Sequence, residues 1–230
     1  MTIKATAIIP AAGLGKRFGG AKQFQLLAGK PLFLHAVETF ESSPLIAGIC
    51  LPVPEADIES VREWIEKPSL KKVFKIVPGG PERQDSVKKG FEAIPPCDLI
   101  VVHDGVRPLV TQDLIEKTIQ GAHECGGCVV GLPLKETTKR VDREMFIAET
   151  VDRTTLWSIQ TPQAFRYEIF KKALQKAEAD HFLGTDEAML VERIGLKVKV
   201  IEGSPYNIKI TTPEDLRIAE SILSFYKGVP

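Results

Sequence analysis

The sequence predicts an α/β protein with a Rossmann-like, mostly parallel sheet, helices on both faces and a projecting β-arm. Two observations lead to this fold class. Short β-branched runs alternate with segments of helical spacing through the first half of the 230 residues, and such alternation favours crossover units and a parallel sheet. The alternation stops after Pro133, where two extended polar segments follow each other without a helix. We therefore expect a single domain over 1–230, with the β-arm at about 133–156.

The individual elements follow from hydrophobic periodicity and from helix-end signals. Before the arm, strands are predicted at 5–9, 46–53, 73–77, 99–103 and 128–132, and helices at 31–40, 55–65, 85–93 and 111–124. The arm consists of extended segments at 135–141 and 146–151. After it, helices are expected near 167–177 and 185–194, a strand at 197–201 and a last helix at 213–225. Thr212, followed by Pro213, is a typical N-cap for that last helix.

Composition and charge argue against several classes of protein. With 43% hydrophobic and 26% charged residues, the chain is able to bury one full core. Its 30 basic and 30 acidic residues balance, which removes the electrostatic reason to expect nucleic acid or a membrane surface as partner. No apolar run approaches the ~20 residues of a membrane-spanning helix, and the four cysteines are too irregularly spaced for a disulfide framework. We expect a cytoplasmic protein that binds neither nucleic acid nor membrane.

The loop after the first predicted strand has the composition of a phosphate-binding site. It contains Pro10-Ala-Ala-Gly-Leu-Gly-Lys-Arg-Phe-Gly-Gly-Ala-Lys22 and follows a strand, where phosphates bind in this fold class. Its glycines allow backbone N–H groups to approach an anion, and Lys16, Arg17 and Lys22 supply cations. The Walker A Gly-Lys-Ser/Thr is missing, and Phe18 occupies the third glycine position of a Rossmann fingerprint. A triphosphate site is favoured, with a solvated surface turn as the alternative.

A second loop, Val101-Val-His-Asp-Gly-Val-Arg-Pro108, follows a four-residue apolar strand. Asp104 is placed there to hold Mg²⁺ against nucleotide phosphates, and Arg107 is suited to bidentate binding of another phosphate. The alternative for Asp104 is a turn cap. His103 is interpreted as a buried, hydrogen-bonded strand residue, because no other histidine has metal-ligand spacing with it.

A third loop, Val77-Pro-Gly-Gly-Pro-Glu-Arg-Gln-Asp-Ser86, also follows a strand. Its two glycines expose backbone groups, and Ser86 offers a hydroxyl near the start of a helix. Such groups are able to bind the edge of a base by hydrogen bonds. The alternative is a helix cap formed by Asp85 or Ser86.

Three later clusters suggest a second substrate pocket. They are Lys135-Glu-Thr-Thr-Lys139, Thr150-Val-Asp-Arg153 and Asn207-Ile-Lys-Ile-Thr-Thr212. Arg153 and Lys209 are candidates for binding a phosphate monoester, and Thr137 for binding hydroxyl groups. Each of these residues alone is equally typical of a solvated surface, so the argument for function is their joint occurrence.

Together these motifs closely resemble one family, 2-C-methyl-D-erythritol 4-phosphate cytidylyltransferase of the non-mevalonate isoprenoid pathway. The resemblance runs nearly from end to end of the chain. It rests on Pro10-Ala-Ala-Gly-x-Gly-x-Arg17, Lys22-Gln23, Gly79-Gly80 with Arg83-x-Asp-Ser86, His103-Asp104 with Arg107-Pro108, Thr150-Val-Asp-Arg153 with Leu156-Trp157, Gln160-Thr-Pro-Gln163, Thr185-Asp-Glu-Ala188 and Asn207-Ile-Lys209. The chain departs from the family at Ala21, where proline is usual, and in the short segment between Arg17 and Lys22.

The resemblance implies a nucleotidyltransferase that converts CTP and methylerythritol phosphate to 4-diphosphocytidyl-2-C-methyl-D-erythritol and pyrophosphate. It also implies Mg²⁺ or another divalent cation as cofactor, held by Asp104, and a homodimer clasped by the arm. Arg17 and Lys22 are the implied catalytic residues. The implied nucleotide-binding residues are Ala11, Ala12, Gly13, Gly15, Gly80, Arg83, Ser86 and Asp104. The implied acceptor-binding residues are Arg107, Thr137, Arg153, Thr161 and Lys209, with Thr137 and Arg153 reaching across from the partner subunit.

Other functions stay open at this point. Ribitol-5-phosphate cytidylyltransferase shares the Asn-Ile-Lys and Thr-Pro-Gln motifs, but its first loop more often has Leu-Ala-Gly-Gly. Pro10-Ala-Ala-Gly13, the Val151-to-Trp157 run and Thr185-Asp-Glu-Ala188 favour methylerythritol phosphate as acceptor. A non-catalytic nucleotide-binding module would bind CTP without turnover, and a Rossmann dehydrogenase would bind NAD(P).

Overall fold

Strands and helices alternate along the first half of the chain, as predicted. The computed structural model describes residues 3–13, 15, 18, 20–66 and 70–226. Its strands are β1 (Ala5–Ile8), β2 (Leu26–Leu27), β3 (Lys30–Pro31), β4 (Ile46–Val53), β5 (Val73–Pro78), β6 (Leu99–Val102), β7 (Gly127–Pro133), β8 (Thr138–Val141), β9 (Ile147–Val151), β10 (Trp157–Arg166) and β11 (Lys199–Glu202). Its helices are α1 (Leu32–Ser42), α2 (Ile58–Ile65), α3 (Arg83–Glu92), α4 (Gln112–Cys125), α5 (Tyr167–Ala179), α6 (Glu187–Arg193) and α7 (Pro213–Tyr226).

Seven of the strands form one sheet with the order β11-β7-β10-β6-β1-β4-β5. β1 pairs in parallel with both β4 and β6, and β11 pairs in parallel with β7. β10 is antiparallel to both of its neighbours, β6 and β7. The prediction of a mostly parallel sheet is therefore confirmed, and each predicted strand and helix overlaps an observed one.

β10 is not predicted from the hydrophobic pattern, although this strand lies inside the sheet. Its register against β7 shifts between Ile159 and Gln163, so the polar segment between them leaves the regular ladder. Pro162 lies in that segment, and a proline ordinarily argues against a central strand. The shift has a functional consequence, because it presents Gln160 and Thr161 to the loops at the edge of the sheet.

Helices cover both faces of the sheet, and each face has its own core. Alternate residues of a strand point to opposite faces. Ala5 and Ala7 of β1 pack in the core that contains the buried residues of α1, α2 and α4. Ile8 packs in the core of α3, α5 and α6, where Phe165 and Phe170 stack with ring centroids 5.5 Å apart. The four residues of β1, three of them apolar, are buried on both sides, as expected for a parallel strand.

A third, smaller core joins α7 to the β2–β3 hairpin, through Leu27, Leu32, Ile210 and Ala219. Thr212 accepts a hydrogen bond from the Asp215 N–H at 3.4 Å, which confirms it as the cap of α7. Ile210 N–H donates to the carbonyl of Val106 at 2.9 Å. This packing fixes the segment that precedes α7 against the loop that follows β6.

The arm is a separate two-stranded antiparallel sheet formed by β8 and β9. Arg140 faces Glu149 in its register, and the turn closes by an Asp142 N–H bond to the carbonyl of Phe146 at 3.0 Å. Three consecutive apolar side chains at the tip are largely exposed: Met145 76%, Phe146 68% and Ile147 64%. Within the described ranges, no helix is long and apolar enough to cross a membrane.

Candidate active site

A cavity of about 140 Å³ lies at the carboxyl ends of β1 and β6, beside the start of α3. This is the edge at which open α/β sheets bind ligands. Its lining comes from the loop after β1, the start of a 3₁₀ turn at Lys22–Phe24, the segment around the start of α3, the loop after β6, and Lys209. The predicted site residues that it brings together are Ala11, Ala12, Gly13, Lys22, Gly80, Arg83, Ser86, Asp104 and Lys209.

The loop after β1 is held against the sheet and then turns on a glycine. Ala11 N–H donates to the carbonyl of Pro52 on β4 at 2.7 Å. Gly15 has a φ of +62°, and a Cβ atom there would lie 1.7 Å from the carbonyl oxygen of Gly20. This combination of a left-handed backbone and a close contact requires glycine. Gly15 is thus necessary for the path of this loop.

Of the two predicted catalytic cations, Lys22 lies within the described residues and Arg17 does not. Arg17 lies outside the described residues, so its role stays a prediction. Lys22 begins the Lys22–Phe24 turn, is partly buried and lines the cavity next to Gly13. The short segment before Lys22 therefore still brings this lysine to the cavity.

The loop before α3 packs closely against the loop after β1. A Cβ atom at Gly79 would lie 2.2 Å from the Ala12 Cβ, and one at Gly80 would lie 2.3 Å from the Asp85 Cβ. The Gly80 N–H donates to Ser86 Oγ at 3.0 Å. Gly79 therefore allows the two loops to approach. Gly80 allows its loop to lie close against the start of α3, where Ser86 binds it.

The N-cap of α3 is Glu82, not Asp85 or Ser86 as the alternative interpretation of this loop proposed. Asp85 still takes part, because its carboxylate accepts the Glu82 N–H at 3.2 Å and closes a capping box. Ser86 lies one residue further into the helix and is 3% exposed. The hydroxyl of Ser86 is thus bound to the loop and lines the cavity at the same time.

Asp104 is the electrostatic centre of the cavity. Its Oδ1 lies 2.8 Å from Arg83 Nε, and its Oδ2 lies 2.9 Å from Lys209 Nζ and 3.6 Å from Arg107 Nε. Burial alone would raise the pKa of this carboxyl group, but Arg83, Lys209 and Arg107 outweigh burial and hold its pKa well below the usual range. Asp104 is therefore ionised at neutral pH.

Arg83 lines the cavity, but its guanidinium is already bound to two carboxylates. Its Nη1 and Nη2 lie 2.6 and 3.0 Å from the two carboxylate oxygens of Glu187, at the start of α6. Burial would lower the pKa of Arg83, and the two carboxylates outweigh burial and raise it. Glu187 is not among the residues predicted for the site, although it lies in the Thr185-Asp-Glu-Ala188 motif.

A buried network joins the loop after β6, the middle of β10 and the loop after β11. Thr161 Oγ1 accepts the Asp104 N–H at 3.0 Å and lies 3.1 Å from His103 Nδ1. Asn207 donates its side-chain amide to the Thr161 carbonyl at 2.8 Å, and Arg107 Nη1 donates to the Asn207 carbonyl at 2.7 Å. Arg107 and Thr161 are therefore buried beside the cavity, where they hold Asp104 in place. Asn207 is a positioning residue that the sequence analysis did not identify.

His103 is fully buried and hydrogen-bonded, as predicted. Its Nε2 lies 3.1 Å from the carbonyl of Arg107 and donates to it, which leaves Nδ1 to accept the Thr161 hydroxyl proton. Burial is the main cause that lowers its pKa to about 4. His103 is therefore neutral near pH 7 and orients its neighbours.

The low pKa of His103 predicts a pH dependence of stability for the metal-free protein. The unfolded chain takes up a proton near pH 6.5, while the folded chain, in which Asp104, Arg107 and Arg83 face this ring, does so only at about 4. Stability is therefore fully present above pH 6.5 and is lost as the pH falls towards 4. Between pH 7 and pH 5 the loss should be about 2 kcal/mol.

Denaturant unfolding of the wild type and of His103→Gln at several pH values will measure this loss. The glutamine variant should be less stable overall but should lack most of the pH slope. His35, whose pKa is also lowered mainly by burial, contributes to the slope in both proteins. Equal slopes in the two proteins would show that His103 is not the titrating group.

The two predicted acceptor-binding residues of the arm lie away from the cavity of their own subunit. Thr137 and Arg153 are both exposed, and neither is among the lining residues. Arg153 begins a 3₁₀ turn, in which Asp152 accepts the Thr154 N–H at 3.0 Å. The structure thus brings together most residues predicted for the nucleotide half of the site and leaves the arm residues apart. Gly15 is described but does not line the cavity, and Arg17 lies outside the described residues.

The chain is similar over nearly its whole length to one family of known enzymes. The family model of IspD, 2-C-methyl-D-erythritol 4-phosphate cytidylyltransferase, matches residues 5–225. The curated enzyme of that name from Geobacter metallireducens is 46% identical over 224 residues, which cover 94% of this chain and 96% of that protein. The one from Syntrophus aciditrophicus is 44% identical over 232 residues, which cover 99% of both chains.

Solved structures give the same result for the fold. The crystal structure of 4-diphosphocytidyl-2C-methyl-D-erythritol synthase from Anaerococcus prevotii superposes with a TM-score of 0.86 at 31% identity, over 97% of each chain. That of the cytidylyltransferase from Thermus thermophilus superposes with a TM-score of 0.78 at 29% identity, over 96% of this chain and 98% of that one. This protein belongs to the 2-C-methyl-D-erythritol 4-phosphate cytidylyltransferase family.

Proposed function

We propose that this site transfers a cytidylyl group from CTP to 2-C-methyl-D-erythritol 4-phosphate, as an enzyme of isoprenoid precursor biosynthesis. The main observation in support is the Asp104 cluster, in which one buried carboxylate lies among three cations. Asp104 and two of these cations, Arg83 and Lys209, line the cavity. Two polyanionic substrates need such a concentration of positive charge. The products are 4-diphosphocytidyl-2-C-methyl-D-erythritol and pyrophosphate.

The nucleotide occupies the part of the cavity between the loop after β1 and the start of α3. Ala11, Ala12, Gly80 and Ser86 bind the cytosine through backbone and hydroxyl groups, and their close packing supports this assignment. Gly13 and Gly15 allow backbone N–H groups to face the phosphates. Arg17 and Lys22 contact the triphosphate.

A divalent cation, Mg²⁺ in the ordinary case, completes the nucleotide half of the site. The described residues contain no group of three or more His, Cys, Asp or Glu that could hold a metal alone. Mg²⁺ usually takes one or two carboxylates and completes its coordination with phosphate and water oxygens, so a single ligand from the protein, Asp104, fits it. When bound, the ion neutralises developing charge on the phosphates.

The reaction is an in-line attack by a phosphate oxygen of the acceptor on the α-phosphorus of CTP. The new P–O bond forms as the bond from the α-phosphorus to the β-phosphate oxygen breaks, and pyrophosphate leaves with that oxygen. No general base is needed, because the attacking phosphate is already ionised near neutral pH. Arg17 and Lys22 stabilise the negative charge that grows on the nonbridging and leaving oxygens.

The acceptor lies on the other side of Asp104, near Lys209. Lys209 and Arg107 bind its phosphate, and Thr161 lies beside them. Thr137 and Arg153 come from the arm of a second subunit, in a homodimer that also covers the exposed apolar tip of the arm. A cytoplasmic location remains a prediction from the sequence.

Release of pyrophosphate from CTP in the presence of Mg²⁺ tests the proposed reaction. We expect turnover with methylerythritol phosphate and at least tenfold slower turnover with ribitol 5-phosphate. Faster turnover with ribitol 5-phosphate would contradict the choice of acceptor. Binding of CTP with no pyrophosphate from either acceptor would instead indicate a non-catalytic nucleotide-binding module.

Mixing two inactive variants will test the contribution of the partner's arm. Lys209→Ala damages the cavity, and Arg153→Ala damages the arm, so each homodimer should have little activity. Random exchange gives heterodimers in half of the molecules, each with one intact site, so the mixture should recover about a quarter of wild-type activity. A mixture no more active than the mean of its parents would show that Arg153 acts within its own subunit.

A further inference from the structure

Glu187 is a buried carboxylate for which the reaction above has no use. It lies at the start of α6, is 2% exposed, and is not among the described residues that line the cavity. Both of its carboxylate oxygens are bound by one guanidinium, that of Arg83, at 2.6 and 3.0 Å. A bidentate ion pair of this kind behind a ligand site fixes the orientation and the net charge of the residue in front of it.

Arg83 connects Glu187 to Asp104. With Nη1 and Nη2 bound to Glu187, the remaining donor edge, Nε, donates to Asp104 Oδ1 at 2.8 Å. The other oxygen, Oδ2, has Lys209 as its nearest cation at 2.9 Å. Lys209 is the more exposed of these two cations, with 35% of its side chain accessible against 28% for Arg83. Arg107 Nε lies 3.6 Å from the same oxygen. Oδ2 is therefore the oxygen that a divalent cation would reach if Lys209 moved to a substrate.

The charges of the cluster explain why a second carboxylate is needed. Asp104 has one negative charge and faces three cations, Arg83, Arg107 and Lys209. A divalent cation added to this cluster would be repelled by each of them. The Glu187 carboxylate cancels the charge of Arg83 at close range, so Arg83 keeps its hydrogen bond to Asp104 with little repulsion of an incoming ion.

We propose that Glu187 is a positioning residue for the metal: it neutralises Arg83 and directs the guanidinium to one oxygen of Asp104, leaving the other oxygen for the divalent cation. The inference rests on the proposed role of Asp104 as metal ligand. It gives a function to the Thr185-Asp-Glu-Ala188 motif, in which Asp186 caps α6 through the Met189 N–H at 3.0 Å and so fixes the start of the helix. Gln163 on β10 accepts the Ala188 N–H at 3.0 Å and ties this start to the sheet.

The proposal predicts that Glu187→Gln changes CTP affinity differently in the absence and in the presence of Mg²⁺. Without the Glu187 carboxylate, Arg83 keeps only Asp104 as an anionic partner, and the cluster gains one net positive charge beside the triphosphate. Metal-free CTP should therefore bind as well as in the wild type or more tightly. The gain in CTP affinity caused by Mg²⁺ should fall about tenfold, the smaller of the effects typical when a group that orients a metal ligand is lost. A merely structural role would weaken both affinities together.

Titration calorimetry with CTP, in EDTA and in saturating Mg²⁺ and without acceptor, measures both affinities. Arg83→Gln combined with Glu187→Gln removes both charges and should restore the Mg²⁺-dependent gain to at least the wild-type value. Glu178→Gln is the matched control, because Glu178 is an exposed carboxylate paired with Lys88 away from the cavity. It should leave both affinities unchanged.

Asp104→Asn separates failure of this inference from failure of the proposed metal site. If Mg²⁺ does not tighten CTP binding in the wild type, or still does so in Asp104→Asn, the metal role of Asp104 is wrong. If Asp104→Asn loses the gain but Glu187→Gln keeps it within about twofold, only the role of Glu187 is wrong. Equal weakening of both affinities in Glu187→Gln, or no recovery in the double variant, would also overturn it.

Discussion

Replacing Asp104 with asparagine is expected to lower kcat for pyrophosphate release by about 1,000-fold. The amide keeps the shape of the side chain but loses the charge that binds the divalent cation, a loss of several kcal/mol of transition-state stabilisation. It also leaves Arg83, Arg107 and Lys209 facing one another without a central anion. Steady-state and single-turnover assays at saturating CTP and Mg²⁺ measure the change.

The same substitution should destabilise the fold, because it breaks a buried ion cluster. Asp104 is 5% exposed, and removal of one partner from a buried charge pair costs about 3–5 kcal/mol. In a chain of this length, that corresponds to a drop in Tm of roughly 10 °C. Calorimetry of the metal-free variant measures this drop, and assays at a temperature well below Tm separate it from the effect on turnover.

Asp113→Asn on α4 is the matched control. Asp113 forms an ion pair with Lys117 at 2.8 Å, but both side chains are more than half exposed. Loss of an exposed pair of this kind costs at most about 1 kcal/mol, and kcat should be unchanged. A folded Asp104→Asn variant with kcat within threefold of wild type would contradict the metal-ligand assignment.

The sequence was sufficient to predict most of the sheet, because its signals are local. β6 is a four-residue apolar run and β1 is apolar except for Thr6, and all residues of both strands are buried in the structure. A loop that follows such a strand must open at the carboxyl edge of the sheet. For this reason the positions of Asp104 and of the loop after β1 could be predicted from the strands alone.

β10 could not be predicted, because the partners of its polar residues are distant in sequence. Gln163 binds Asp186 at 2.9 Å and the Ala188 N–H at 3.0 Å, both more than twenty residues away. These tertiary contacts satisfy a side chain that, judged locally, is typical of a loop. The proline at 162 added a second local argument against a strand.

The roles within the site were only partly predictable for the same reason. Arg83 was expected to bind the nucleotide, and it does line the cavity, but its partner Glu187 lies 104 residues further along the chain. Residue types at loop positions predict which groups gather at an edge. They do not predict which of those groups are already paired with each other, because that depends on how α3 and α6 pack.

Replacing Lys22 with alanine is expected to lower kcat by about 100-fold while leaving the stability of the protein within about 1 kcal/mol of wild type. A fixed cation beside the leaving group stabilises charge that develops only in the transition state, and loss of one such contact typically costs 100-fold or more. Lys22 is partly exposed and begins a short 3₁₀ turn, so its truncation removes little buried surface. Single-turnover assays at saturating CTP isolate this chemical step.

Two further variants test whether the effect of Lys22→Ala comes from loss of a charge at this position. They are Lys22→Arg and the control Lys117→Ala. The arginine variant keeps the charge on a longer, planar group, so it should recover part of the lost rate but not all of it. Lys117 is an exposed lysine on α4, and its truncation should change kcat by less than twofold. Because the segment between Arg17 and Lys22 is short, the prediction depends on whether the Lys22 side chain reaches the triphosphate. If Lys22→Ala retained kcat within threefold of wild type, the cation that neutralises the leaving pyrophosphate would have to be a different residue, with Arg17 the first to test.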